Sequence, residues 1–317
     1  MIKILVTGSH RSGTTWVGKM LTINNKNIYI HEPNNLDDRI KFNKYKTTYW
    51  FEYLTRDIIS GLDEDFRKLN YPLIVNLKRS KSFKDLLKST YYYFLYTFSK
   101  IKGGYNVVVK DPISIFNIDH YLDLDYYVVV SQRNPFSFIS SLYVKGWSFD
   151  FNHISLQEEL MLKFPEEIQK QIKIFSNSEN IPIIDQGILL WNMFMVFISK
   201  KDNDKLVVIN HEEFSRNPLI EFKKLYSRLG LDFDYNIERV ISETTMVSSI
   251  PENEKSNDLV RNSRRNLNSF KRRLSNEEIL SIYKGTQKYY PKYYSTMLSQ
   301  ILNISLNNLE KDERSDG

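Results

Sequence analysis

Five short apolar runs recur along the chain, and each stops at a polar or glycine-bearing turn. They are Ile2-Lys3-Ile4-Leu5-Val6, Asn27-Ile28-Tyr29-Ile30, Tyr105-Asn106-Val107-Val108-Val109, Tyr126-Tyr127-Val128-Val129-Val130 and Leu206-Val207-Val208-Ile209. Their length and β-branched content predict strands. The third and fourth are apolar at every consecutive valine, so both faces need cover, which predicts a parallel sheet sandwiched by helices. Between the runs the pattern turns helical. Trp50, Phe51, Leu54, Ile58 and Ile59 recur at helical spacing, as do Phe83, Leu86, Leu87, Tyr91, Phe94, Leu95 and Phe98 up to the break at Gly103-Gly104, and both stripes read as core.

Later helices carry punctuation of their own. Asn134-Pro135 is a cap followed by proline in the first turn, with Ile139, Leu142 and Tyr143 on one face. Residues 152–180 are polar and helix-prone, interrupted at Pro165, and read as an excursion from the sheet; 185–200 form a strongly apolar helix. Residues 217–229 predict an amphipathic helix closed by Gly230, and 248–273 a polar loop. Ser275-Asn276-Glu277-Glu278 then caps a helix over 276–288, with another over 292–308. The expected architecture is α/β: a three-layer sandwich around a central parallel sheet.

At 317 residues the chain can bury one large core. The expected organisation is a single domain over 1–317, with helical insertions near 44–102 and 152–200 and a disordered tail over 311–317. Pro33 biases Glu32 towards an extended backbone. No cysteine is present, so disulfides and thiolate metal sites are excluded and a reducing, cytoplasmic setting is expected. The chain enters its first strand without a basic leader or cleavage site, and no stretch approaches the roughly 20 apolar residues that span a bilayer. The load of Asn, Lys, Ile and Tyr suggests an AT-rich bacterial source. The net charge of +6 is scattered along the chain, which suits a small polyanion better than a nucleic acid and leaves peripheral membrane contact open.

The chemistry concentrates where the first strand ends. Gly8-x-x-x-x-Gly13-Thr14-Thr15 nearly matches the phosphate-cradling pattern G-x-x-x-x-G-K-[ST]. Thr14 stands where the lysine belongs, and a cation appears inside the loop instead, at Arg11. Such a loop is poorly equipped for a triphosphate with Mg²⁺. A second anchor follows the fourth strand: Arg133, with Ser141 about two turns into the helix that starts at Pro135. A nucleotide triphosphatase would place a metal-binding Asp at that strand end; this one reads Ser131-Gln132-Arg133, and Asp111 is the only obvious substitute.

Arg11-Ser12-Gly13-Thr14-Thr15-Trp16 resembles the 5′-phosphosulfate loop of sulfotransferases, whose donor is 3′-phosphoadenosine 5′-phosphosulfate (PAPS) and whose nucleotide product is PAP. Arg133 to Ser141 resembles the segment that binds the donor's 3′-phosphate. The resemblance implies a P-loop-like fold, donor contacts from Arg11, Ser12, Gly13, Thr14, Thr15, Trp16, Arg133 and Ser141, and no metal. Arg at position 11 is similar to the carbohydrate-type and bacterial branches. Lys110 matches the lysine of the cytosolic Lys-Thr-His, but Pro112 stands where the histidine would be, so the base falls to Glu32, as in the glycan-type branch. Arg264 and Arg265, before Ser269-Phe270, resemble loosely the late basic loop that covers the 3′-phosphate, with Arg261 another candidate.

The residues themselves leave alternatives open. Transfer to a hydroxyl needs a proton acceptor in reach. Glu32 fits, His31 and Asp111 are rivals, and a strand-end ion pair without a catalytic role is the plain alternative. His211, after the fifth strand, stands where the resemblance implies a tyrosine near the adenine; a structural histidine is the plain alternative. Beside the sulfotransferase reading, with a small-molecule or glycan acceptor, stand an atypical P-loop small-molecule kinase and a non-catalytic nucleotide-binding module. Oligomeric state is not encoded in any readable way.

Overall fold

The computed structural model describes residues 1–24, 27–36, 47–67, 87, 90, 94, 97, 105–245 and 267–289. The apolar runs form five strands: β1 Lys3–Gly8, β2 Asn27–His31, β3 Asn106–Lys110, β4 Tyr127–Gln132 and β5 Leu206–Asn210. They make one sheet in the order β2-β3-β1-β4-β5, parallel at every pairing. Alternation of side chains sorts the apolar residues into two cores. Leu5, Ile28, Ile30, Val107, Val109, Val128 and Val130 face one side; Ile4, Val6, Val108, Val129 and Ile209 face the other.

Helices cover both faces. In chain order these are α1 Thr14–Met20, α2 Arg56–Arg67, α3 Ile118–Asp123, α4 Pro135–Lys145, α5 Asn152–Ser155, α6 Glu158–Met161, α7 Glu166–Ser176, α8 Ile183–Ser199, α9 His211–Arg216, α10 Pro218–Arg228, α11 Tyr235–Thr245 and α12 Asn276–Thr286. Helix α8, buried along nearly its whole length, packs through Trp191 and Phe194 into the first core; α1, α10 and α11 close the second. Each fully buried valine or isoleucine in these layers contributes on the order of 1.5–3 kcal/mol of transfer free energy. The result is the expected three-layer α/β architecture. Among the described residues no helix is long and apolar enough to cross a membrane.

Several expectations need correction. Residues 47–55 are not helical; α2 begins only at Arg56. The backbone amides there go to side chains instead: Trp50 N–H to His153 Nδ1 (3.3 Å), Tyr53 N–H to Gln157 Oε1 (2.7 Å) and Leu54 N–H to Asn117 Oδ1 (2.8 Å). These long-range acceptors outcompete the helical periodicity of Trp50, Phe51 and Leu54. Leu87 and Phe94, read as core, are 55% and 69% exposed. The rest of that stripe, and the 292–308 helix and the 311–317 tail, lie outside the described residues. Helices α3, α9 and α11 were not anticipated: α3 and α9 are six residues each, and α11 sits next to a stretch that reads as loop.

One close approach fixes how β1 leaves the sheet. Gly8, paired with Ser131, has φ 144°, and a Cβ there would stand 2.2 Å from the Ser131 carbonyl oxygen. Only a residue without a side chain lets β4 run this close. Gly8→Ala should therefore lower the urea midpoint by the equivalent of at least about 2 kcal/mol. A midpoint matching the parent would show that β4 can retreat at no cost.

Candidate functional site

The parallel pairing puts every strand's carboxyl end on one edge, where open α/β sheets hold their ligands. Register aligns Val6 and His31 with Lys110, Gly8 with Ser131 and Gln132 with Asn210. The residues that follow each strand therefore stand side by side: the 9–13 loop, Glu32, Lys110-Asp111, Arg133 and His211-Glu212.

The loop from Ser9 to Gly13 is built by its own hydrogen bonds. Ser12 N–H (3.2 Å) and Ser12 Oγ (2.5 Å) both donate to the Ser9 carbonyl, and Ser131 Oγ donates to the Ser12 carbonyl (2.6 Å). Ser12 is buried. Its side chain and amide both serve the turn. Gly13 caps α1 with φ 83° and no side-chain cap, leaving the first amides of the helix without one. A Cβ at Gly13 would lie 2.6 Å from His211 Nδ1, so His211 packs directly against the loop. Burial, then the Arg133 charge, pull His211 down to about 3. Thr14 is buried and Thr15 half-buried at the helix start, and the Trp16 ring turns edge-on to Phe222 at 5.1 Å, on the second core.

Arg11 adopts φ 67°, a left-handed backbone uncommon for a residue with a side chain. Two contacts hold it. Arg133 Nη1 donates to the Arg11 carbonyl (2.8 Å), and Arg11 Nε donates to Ser141 Oγ (3.0 Å). Its guanidinium also lies 5.5 Å from the Trp147 ring centre. The two arginines are thus neighbours, and Arg11 touches the serine two turns into α4; the buried hydroxyl of the adjacent Ser140 has no partner among the described residues. Asn134 caps α4 by accepting from Ser137 N–H (2.8 Å), while Glu212 Oε1 accepts from Asn134 N–H (3.1 Å) and Nδ2 (2.5 Å). Burial raises Glu212 against the lowering charge of Arg133. Trp191 Nε1 donates to the Arg133 carbonyl (3.0 Å), fixing the strand end from the α8 side.

On the other side of β1, the Glu32 carboxylate forms an ion pair with Lys110, which is almost fully buried. Asn35 Nδ2 donates to the second Glu32 oxygen (2.6 Å). Burial works to raise the Glu32 carboxyl, but the charge and hydrogen bond of Lys110 outweigh it and leave it below the ordinary value. The backbone at Glu32 is left-handed, φ 46°, not extended as Pro33 suggested. A tertiary bond overrides the local preference, Glu32 N–H donating to the Lys110 carbonyl (2.7 Å), and a local turn bond from Asn35 N–H to the Glu32 carbonyl (3.3 Å) closes the bend. His31 pairs with Tyr29 Oη through Nδ1 at 3.2 Å. Asp111 is fully buried, pushed up to about 7 by burial and then by the Glu32 charge.

Arg261, Arg264 and Arg265 lie outside the described residues. The chain resumes at Leu267, whose carbonyl accepts from Ser137 Oγ (3.4 Å), and Phe270 stacks on Phe136 at 5.4 Å in the first turn of α4. Phe270 is core.

Three participants were not singled out from sequence. His10 sits among Phe51, Phe138, Trp147 and Phe194 with its Nδ1 buried and without a hydrogen-bond partner among the described residues. Trp147 and Glu212 complete the set. Only Trp147, an aromatic just past the glycine cap of α4, left a readable signal.

No family model matches the chain, and no curated protein matches it. Solved structures do. The sulfotransferase domain of the Synechococcus olefin synthase is 13% identical over 92% of this chain and 94% of its own, with a TM-score of 0.42. The sulfotransferase domain of the curacin biosynthetic pathway is 16% identical over 75% and 76%, TM-score 0.38. A Mycobacterium avium sulfotransferase is 12% identical over 93% and 76%, TM-score 0.39. The chain is similar to sulfotransferases. At these values the likeness carries no argument of its own, and function has to be argued from the site.

The buried histidines give the fold an acid limit. Burial, then the Arg11 charge, pull His10 from 6.5 to about 4. Unfolded, it takes its proton at 6.5; folded, it resists until about 4, so acid favours the unfolded chain across that window. Stability is full above it and falls through it. His10→Phe keeps a ring in the aromatic nest and removes the proton, so the loss of stability between pH 6.5 and about 4 should become shallower by roughly 1–3 kcal/mol, read from urea midpoints. An unchanged slope would show that His10 titrates as it does in water.

Proposed function

We propose that this chain is a PAPS-dependent sulfotransferase that moves a sulfuryl group to a hydroxyl of a carbohydrate or glycolipid acceptor. The observation that carries the reading is a continuous contact path at one sheet edge: Arg133 to the Arg11 carbonyl, Arg11 to Ser141. Two cations spaced across a glycine-bounded loop, with uncapped helix amides beneath, suit an anion charged at both ends. That is the charge distribution of a nucleotide bearing a 5′-phosphosulfate and a 3′-phosphate. The donor set is cationic and amidic, and it fits.

In this reading the loop amides after Gly13 and the Arg11 guanidinium hold the phosphosulfate end, and Arg133 with Ser141 holds the 3′-phosphate. Arg264 and Arg265 are assigned to cover that phosphate. The acceptor oxygen bonds to sulfur as the bond from sulfur to the bridging oxygen of the 5′-phosphate breaks. The hydroxyl proton passes to Glu32, and PAP leaves with the electron pair. Lys110 and Arg11 stabilise charge on the sulfuryl and bridging oxygens. Glu32, held low by Lys110, is ionised at neutral pH and ready to accept a proton. The reaction needs no metal of its own. The acceptor is a small molecule or glycan rather than a nucleic acid, and a reducing, cytoplasmic setting suits a chain without cysteine.

Calorimetry with PAP tests the donor site. Arg133→Ala should weaken PAP binding by about 100-fold or more, since a buried phosphate would lose a charge-assisted partner. In thermal-shift assays PAP should raise the melting point of the parent more than ATP with Mg²⁺ does. Unchanged PAP affinity in the variant, or preference for ATP with Mg²⁺, would overturn the assignment; the second result favours a kinase.

Turnover tests the base. With radiolabelled PAPS and a panel of sugar and phenol acceptors, Glu32→Gln should lower kcat by about 100-fold or more while PAP still binds. Turnover near the parent's would remove Glu32 as the base, and PAP binding without turnover in the parent would favour a non-catalytic module.

A further inference from the structure

Beside the Glu32–Lys110 pair lies a buried carboxylate to which the proposed transfer chemistry assigns no step. Asp111 is fully buried, as is Ser114, and Asn34 is nearly so. Asp111 Oδ1 accepts from Ile113 N–H (3.1 Å), an ordinary cap on the 3₁₀ turn Pro112–Asn117. Its other oxygen does something a cap does not require. Asp111 Oδ2 accepts from Asn34 N–H (3.2 Å) and from Ser114 Oγ (3.2 Å), and Asn34 Nδ2 donates back to Ser114 Oγ (3.0 Å). Asp111 N–H is itself anchored on the Val6 carbonyl (2.9 Å), at the end of the central strand. The 32–35 turn is thereby tied to the heart of the sheet, two residues beyond Glu32.

That tie matters because Glu32 needs it. A left-handed backbone at a glutamate before proline is costly and persists only where the surroundings impose it. The bond from Glu32 N–H to Lys110 fixes one side of the residue, and the Asn34 amide fixes the other. We propose that Asp111, with Ser114 and Asn34, is a positioning clamp that imposes the left-handed turn at Glu32 and so aims its carboxylate along Lys110 towards the anion loop. Asp111 touches neither reactant; it acts through the backbone. Leaving a carboxylate buried beside Glu32 is costly, as its raised pKa shows, and three accepted hydrogen bonds offset that cost. The catalytic consequence rests on the sulfotransferase reading above; the clamp itself rests on the hydrogen bonds alone.

Asp111→Asn is a sharp test. Whichever way the new amide turns, its NH₂ group faces an N–H donor, of Ile113 or of Asn34, and one arm breaks. Asn34→Ala removes the side-chain arm while keeping the backbone donor, and it holds if Asp111→Asn fails to fold. Two readouts separate the clamp from the assigned activity. Amide hydrogen exchange over 32–35 should quicken by about tenfold or more in Asp111→Asn and less in Asn34→Ala, with β1 and β4 unaffected. With PAPS and the best acceptor of the panel, kcat should fall by about tenfold or more in Asp111→Asn while the PAPS KM and the PAP Kd stay within about twofold. Parent-like exchange over 32–35 in both variants overturns the clamp, as does a parallel loss of PAP affinity, kcat and β1 protection, which marks general destabilisation. Faster exchange in the turn from a parent that turns over no acceptor upholds the clamp and fails the sulfotransferase reading.

Discussion

The constraint from which the site follows is the position of β1. It lies in the middle of the sheet with β3 on one side and β4 on the other, all parallel. Its carboxyl end therefore delivers the 9–13 loop between the ends of two neighbours. From β3 come Lys110 and Asp111; from β4 come Ser131 and Arg133. Ser131 reaches the loop through its hydroxyl and Arg133 through its guanidinium. The loop's turn is closed by its own Ser12–Ser9 hydrogen bonds, and it is held in place by these neighbours and by the glycine that lets Ser131 come within reach.

A second consequence is electrostatic. Lys110 and Arg133 reach the sheet edge from opposite sides of β1, and each has a carboxylate nearby: Glu32 for Lys110, Glu212 close enough to Arg133 for its charge to be felt. Neighbouring cations in a low-dielectric crevice would oppose folding unless compensated. The anionic partners supply that compensation from the outer strands, leaving Arg11 as the loop's own cation. His10, within the loop, and His211, packed against it, stay neutral because burial and the adjacent arginines disfavour a further positive charge.

Much of this was legible in the chain. The apolar runs specify the parallel strands because each valine-rich stretch must be covered on both faces, and the residue after each strand must then fall on one edge. That geometry also brings Arg11, Glu32, Lys110 and Arg133 to a common place. What was not legible depends on tertiary hydrogen bonds. The helical spacing around Trp50 is overridden by His153, Gln157 and Asn117, which lie far away in sequence. The extended backbone expected at Glu32 is overridden in the same manner by the Lys110 carbonyl, which takes the Glu32 N–H. The use of the Ser12 hydroxyl to close the turn on Ser9 was likewise not legible from its place in the motif. Glu212 and Asn34 carried no signal, since an isolated polar residue after a strand reads the same whether it is solvated or sealed.

The two left-handed residues at this edge, Arg11 and Glu32, share a logic. Each stands just past a strand end, each carries a charged side chain, and each is held by a hydrogen bond from or to the neighbouring strand's terminus. A strand continuing straight would alternate its side chains across the sheet and send successive charges to opposite faces. A single left-handed residue breaks that alternation and redirects the side chain along the edge. The cost is borne by the sheet, which is rigid because its valines are packed on both sides. Strain of this size at two functional candidates is the reverse of what stability alone would select. In the proposed chemistry it is what lets a cation from β1 and a carboxylate from β2, which is not β1's neighbour, address one anion together.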